Sequence, residues 1–170
     1  MQFAVDKEQG YTLIELLVTM SVVAILATVA VPNFVSFIDN SRERADVQQL
    51  LKNLVAARSE AVVRARSVHL TAVDGDWAKG WRVWADTNTN GSYDSGEEFK
   101  VATAIKTSAL ITAQIDGSAV TEVSFDSQGF AASGKSVTFS YRSQPEKCGH
   151  DRDLTITPSG QTSIADRVCP

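Results

Sequence analysis

Gly10-Tyr11-Thr12-Leu13-Ile14-Glu15-Leu16-Leu17-Val18-Thr19-Met20-Ser21-Val22-Val23-Ala24-Ile25-Leu26 opens an apolar block that runs to about Ile38. From Leu16 to Val31 the block carries no charge. A helix that crosses a bilayer needs about 20 mainly apolar residues, and this block supplies them. Three readings compete for it. A secretory signal peptide has a basic start, a short apolar core and a small-residue cut site beyond it. Here the start, MQFAVDKEQG, sets Lys7 against Asp6 and Glu8. An ordinary anchor helix gives no reason for the carboxylate of Glu15, which is costly at membrane depth and so points to function. The third reading places a cut between Gly10 and Tyr11 and keeps the helix. Pro32 lies inside that helix, where it costs about 3 kcal/mol and marks a bend or an unwound turn.

Outward from the block the chain changes character. The formal net charge of the 170 residues is -4, which gives no electrostatic footprint for nucleic acid. From Asp39 the pattern becomes amphipathic. Val47, Leu50, Leu51, Leu54, Val55, Ala57, Ala61, Val62 and Ala65 recur at three- and four-residue spacing. One face needs cover, which predicts a helix from about Tyr11 to Arg66 whose second half is the spine of a head. Arg58, Arg64 and Arg66 read as a solvated face of that helix rather than a nucleic-acid surface.

The rest reads as strands and turns. Val68–Val73, Gly80–Ala85, Glu98–Ala104, Val120–Asp126, Ser136–Tyr141, Leu154–Thr157 and Thr162–Ala165 are short, rich in Val, Thr, Ile and Phe, and separated by Gly, Ser, Asp or Asn. Ala109–Ile115 fits a strand or a loop edge. The expected class is α+β: a long N-terminal helix packed on an antiparallel head of one or two sheets. Trp77, Trp81 and Trp84 read as packing rather than as a carbohydrate platform. No nucleophile elbow, phosphate loop or Cys-x-x-Cys is present, so a structural protein is expected, not an enzyme, and no cofactor is required.

One loop could carry chemistry. Asp86 to Glu97 fits the pattern D-x-[DN]-x-[DN]-G-x5-E, which would offer a calcium ion the oxygens of Asp86, Asn88, Asn90, Asp94 and Glu97. Its flanks look like strands rather than helices. The alternative is therefore a hairpin in which Asn, Asp and Gly make turns.

The residues from Gly10 to Leu17 resemble the prepilin cleavage motif of type IV pilins and type II secretion pseudopilins. The resemblance implies that a prepilin peptidase cuts after Gly10 and that Tyr11, where Phe is usual, becomes a methylated N-terminus. It also implies that Glu15 is the assembly residue, which a free Tyr11 amine would satisfy once helices pack in a filament. A Glu snorkelling to the membrane interface is the plainer alternative. The division that follows is a leader over 1–10, a transmembrane or filament-core helix over 11–38, and a head over 39–170. The head would comprise helix 39–66 and a β region over 67–170.

The Asn-rich hairpin, Ala57-Arg58-Ser59-Glu60-Ala61 and the closing Leu154-Thr155-Ile156-Thr157-Pro158-Ser159-Gly160 resemble the GspH/FimT-like branch, which includes minor pilins of the FimU kind. The implied function is a minor pilin that helps start or cap assembly of a type IV pilus. A DNA- or ligand-binding minor pilin and a minor pseudopilin of type II secretion are the alternatives. The implied partners are major and minor pilins, the peptidase and an inner-membrane assembly platform. The implied location is the bacterial inner membrane and then the pilus, with the head in the periplasm or outside. Branch members that bind DNA carry an Arg in the turn after the final Gly. Here Gly160-Gln161-Thr162-Ser163 has none, although Arg152 and Arg167 are near in sequence. In such a compartment Cys148 and Cys169 would join, which stabilises by roughly 3 kcal/mol in the chain-entropy picture. Free thiols or a two-ligand metal site are the alternatives, but His69 and His150 lack a ligand spacing with them.

Overall fold

A computed structural model describes residues 11–169, the side chains of Val29, Pro32 and Asn33 excepted. The leader over 1–10 therefore lies outside the described residues. Helix α1 runs from Leu13 to Arg64 and is shared by two compact units, Met1–Asp39 and Asn40–Pro170. Thr12 caps its start: the N–H of Glu15 donates to Thr12 Oγ1 at 3.3 Å, the first half of a Thr-x-x-Glu capping box. At its end Ala65 takes a left-handed conformation, φ 49°. The N–H of Arg66 then reaches back to the Ala61 carbonyl at 3.1 Å, which satisfies a carbonyl the last turn would leave open. The helical backbone continues through Pro32 with no non-helical turn. No stretch of helix among the described residues is long and apolar enough to cross a membrane.

In the second unit nine strands form two antiparallel sheets. One has the order β3-β2-β1-β6 and the other β5-β4-β7-β8-β9. The strands are β1 Val68–Val73, β2 Asp76–Ala85, β3 Glu98–Ala102, β4 Leu110–Ile115, β5 Ser118–Val120, β6 Glu122–Phe125, β7 Val137–Arg142, β8 Arg152–Ile156 and β9 Thr162–Asp166. Alternation of buried and part-exposed residues in β1 and β7 sets the register, because a slip by one residue would turn every apolar side chain outward. Leu70 faces Val83, and Phe139 faces Leu154. Two Asp-Gly pairs close tight hairpins: Asp74-Gly75 between β1 and β2, and Asp116-Gly117 between β4 and β5, all four residues at positive φ.

One core joins helix and sheets. Val47, Leu50, Leu54, Ala57 and Ala61 of α1 lie in the same buried cluster as Val68, Leu70, Trp81, Val83 and Phe125 of one sheet and Ile111, Phe139, Tyr141, Leu154 and Ile156 of the other. The buried stripe is narrower than the spacing predicts, since Val55 and Val62 are exposed. The segment left open, 109–115, is a strand from Leu110. The strand predicted over Val120–Asp126 is two strands in different sheets. The chain crosses at Thr121, whose carbonyl accepts the Ala72 N–H at 2.8 Å.

Candidate functional site

The N-terminal motif comes first. Gly10 lies outside the described residues, while Tyr11 is exposed at 87%. Beyond it Leu13, Ile14, Leu16, Leu17, Val22, Val23, Ile25, Leu26, Phe34 and Phe37 are all exposed. Glu15 stands among them on the first turn of α1, where the helix dipole favours a negative charge. The Thr12-x-x-Glu15 spacing is the sequence signal of this cap. Glu15 therefore sits at a fixed helical position, with no other charged residue from Tyr11 to Ile38.

The loop from Asp86 to Glu97 is built from hydrogen bonds of its own. Asp86 accepts the N–H of Asn90 at 3.1 Å and of Gly91 at 2.9 Å. Asp94 Oδ2 accepts the side-chain amides of Asn88 and Asn90 at 2.8 and 2.7 Å. The Asn88 and Asn90 side-chain oxygens accept the N–H of Asn90 and of Ser92. Glu97 is buried and accepts the N–H and hydroxyl of Thr87 and the N–H of Asp94. The Thr87 hydroxyl and N–H hold its carboxyl below the usual range. In this structure these oxygens accept hydrogen bonds from within the loop. Among the described residues no three His, Cys, Asp or Glu side chains are grouped to hold a metal.

The loop covers the outer face of the first sheet. Trp84 is buried there with its indole N–H on Thr71. His69 stacks on it at 4.2 Å between ring centres, and Tyr93 meets it edge-on at 5.8 Å. His69 pairs with Glu122 at 2.7 Å. That hydrogen bond holds the Glu122 carboxyl below its ordinary value. Trp77 and Trp81 are buried in the shared core, so all three tryptophans pack.

Of the three helix arginines, Arg58 is half-buried, while Arg64 and Arg66 are exposed as expected of a solvated face. Arg58 Nε donates to the Gly129 carbonyl at 2.9 Å, and its terminal nitrogen donates to the Ser159 carbonyl at 3.2 Å. This corrects the solvated-face reading for Arg58, because only the folded chain brings those two turns to the helix. Arg64 pairs with Glu60 and lies over the Phe99 ring. Arg66 donates to the Thr87 carbonyl.

The C-terminal end is closed twice. Cys148 and Cys169 are joined, with Cα atoms 5.8 Å apart. Asp151, fully buried, accepts the N–H of Ser143 at 2.9 Å and a guanidinium N–H of Arg167 at 2.7 Å. Burial pushes its carboxyl up, but these bonds outweigh it and hold the group below the usual range. Arg152 pairs with Asp166 at 2.9 Å. Both arginines considered for DNA are thus engaged with acids.

Known proteins resemble this arrangement at both ends. Residues 6–31 match the prokaryotic N-terminal methylation motif. The type II secretion system core protein G of Escherichia coli K12 is 36% identical over 53 residues, 31% of this chain and 34% of that protein. This chain thus spans about a third of that relative's length. The type IV minor pilin FimU of Pseudomonas aeruginosa PAO1 shares the fold with a TM-score of 0.61 and 23% identity, over 76% of this chain and 92% of that one. The minor pseudopilin EpsH of the Vibrio cholerae type 2 secretion system does so with a TM-score of 0.55 and 12% identity, over 74% and 97%. Residues 46–160, from the buried face of α1 to the turn at Gly160, match the family described as type II transport protein GspH. That segment is more than half of the chain, and the chain belongs to the GspH family.

Proposed function

We propose that this chain is a minor pilin, a structural subunit that helps start or cap a type IV pilus. It is made with a leader, cut by prepilin peptidase between Gly10 and Tyr11, and methylated at Tyr11. Residues 11–38 hold it in the inner membrane until it joins other pilins on the assembly platform, with the head in the periplasm or outside. The carrying observation is Glu15. It is the single charged residue between Tyr11 and Ile38 and stands on a helix whose apolar side chains are exposed on every turn. In lipid such a carboxylate is costly. In a filament a neighbouring N-terminal amine offsets that cost and fixes the axial register. Pro32 is the place where this helix can bend between neighbours.

A minor pseudopilin of type II secretion is the second reading, favoured by the family match over 46–160 and by the likeness to core protein G. Mass spectrometry of the native N-terminus tests what both readings share: a chain beginning at methylated Tyr11 is expected, and an uncut Met1 overturns it. Loss of surface pili in a deletion strain supports the first reading. Loss of protein secretion with pili intact supports the second.

A further inference from the structure

β3 ends the order of its sheet, with β2 on one side and no strand on the other among the described residues. A groove of about 480 Å³ lies along it, between the strand and the second half of α1. Gln48, Lys52 and Asn53 line it from the helix, and Lys100, Val101 and Thr103 from the strand side. Three features of this groove are unusual. Asn53 is buried at 1% exposure, yet its side-chain N–H2 has no hydrogen-bond partner, which buried donors seldom tolerate. Val101 is 55% exposed in mid-strand. The lining has two lysines and no acid. Beyond the strand the chain turns back over the helix, where Asp46 accepts the N–H of Lys106 and the hydroxyl of Thr107. That crossing lies just past Thr103 in the chain.

We propose that β3 and this groove take up an extended acidic segment of another protein chain as an added strand. The open edge supplies main-chain hydrogen bonds, and side chains at alternate positions enter the groove. A carbonyl of the incoming strand accepts the idle Asn53 amide. Lys52 and Lys100 select acidic residues over basic ones. The proposal does not depend on whether the chain serves a pilus or a secretion system.

The test is photo-crosslinking from position 101. Val101 is replaced by benzoylphenylalanine in the full-length chain, expressed in the cell that makes it, and the adduct is sequenced by mass spectrometry. The expected adduct is an acidic segment of a different protein. Its yield falls at least fivefold when Lys52→Glu and Lys100→Glu are combined. Should that pair misfold, Lys52→Gln with Lys100→Gln makes the same test. Asn53→Leu lowers the yield without lowering the melting temperature, an outcome a purely structural Asn53 would not give. No adduct, an adduct to the same chain or a second copy, a segment without acids, or a yield indifferent to the lysines overturns the proposal.

Discussion

Leu16 and Ile25, in the first half of α1, are 56% and 68% exposed, while Leu50 and Leu54, in the second half, are 1% and 0% exposed. Both pairs are of the same kind and sit in one helix. The second half has two sheets from its own chain to cover it. The apolar side chains of the first half are exposed. Burial of apolar area, not helix propensity, stabilises most helices in proteins. The first half thus leaves its apolar side chains exposed, while those of the second half belong to a packed core.

The comparison breaks most directly with one leucine from each half. Leu54→Ala should cost about 2–5 kcal/mol in unfolding of the full-length protein in detergent. Leu16→Ala should stay within about 0.5 kcal/mol. Equal effects would mean that the first half is also covered by its own chain.

The next largest effect probes the joint at the far end of the second half. Gly160 has φ +77°, and a Cβ there would lie 1.9 Å from the Gly129 carbonyl oxygen. Gly160→Ala should cost about 1–3 kcal/mol by chemical denaturation. A neutral result would show that the two turns can move apart freely.

Acid sharpens the contrast, because the depressed carboxyls lie in the head. Asp151 and Glu122 both titrate below their ordinary values. Their stabilisation is present above the unfolded values of about 3.9 and 4.3 and is lost as pH falls through the lower folded values. The melting temperature should drop as pH is lowered from about 4.5 to 2.5, and Asp151→Asn should flatten that limb. An unchanged limb in the variant would remove Asp151 from the account.

The smallest expected effect is a gain. Ala65 holds the left-handed conformation that ends α1, which glycine adopts without strain. Ala65→Gly should stabilise by about 0.5–1 kcal/mol, read as a rise in melting temperature.

Much of this was legible from the chain alone. The 3.6-residue period from Val47 to Ala61 foretold the buried face of α1, and Val68–Val73 is a strand with those same bounds. The two cysteines were readable as a pair once the N-terminal block pointed outside the cytoplasm. What was not legible depends on long-range packing. No local pattern places Val120 and Val123 in different sheets. Nor does a local pattern show that Trp84 faces away from the shared core and is covered by the Asp86–Glu97 loop. The same loop satisfies a calcium pattern in sequence because turns and calcium shells both use Asp, Asn and Gly. The hydrogen bonds that link those oxygens across the loop are set only by the folded chain. Nothing local marks Asn53, whose burial beside β3 follows from the folded chain.

Arg58 grips two main-chain carbonyls, at Gly129 and Ser159, and no side chain of either turn. Its hold depends on where the backbone goes and is indifferent to which residues decorate it. Ser127, Gln128 and Ser159 can change identity without loosening the fastening, whereas a single methyl group on Gly160 would wedge it open.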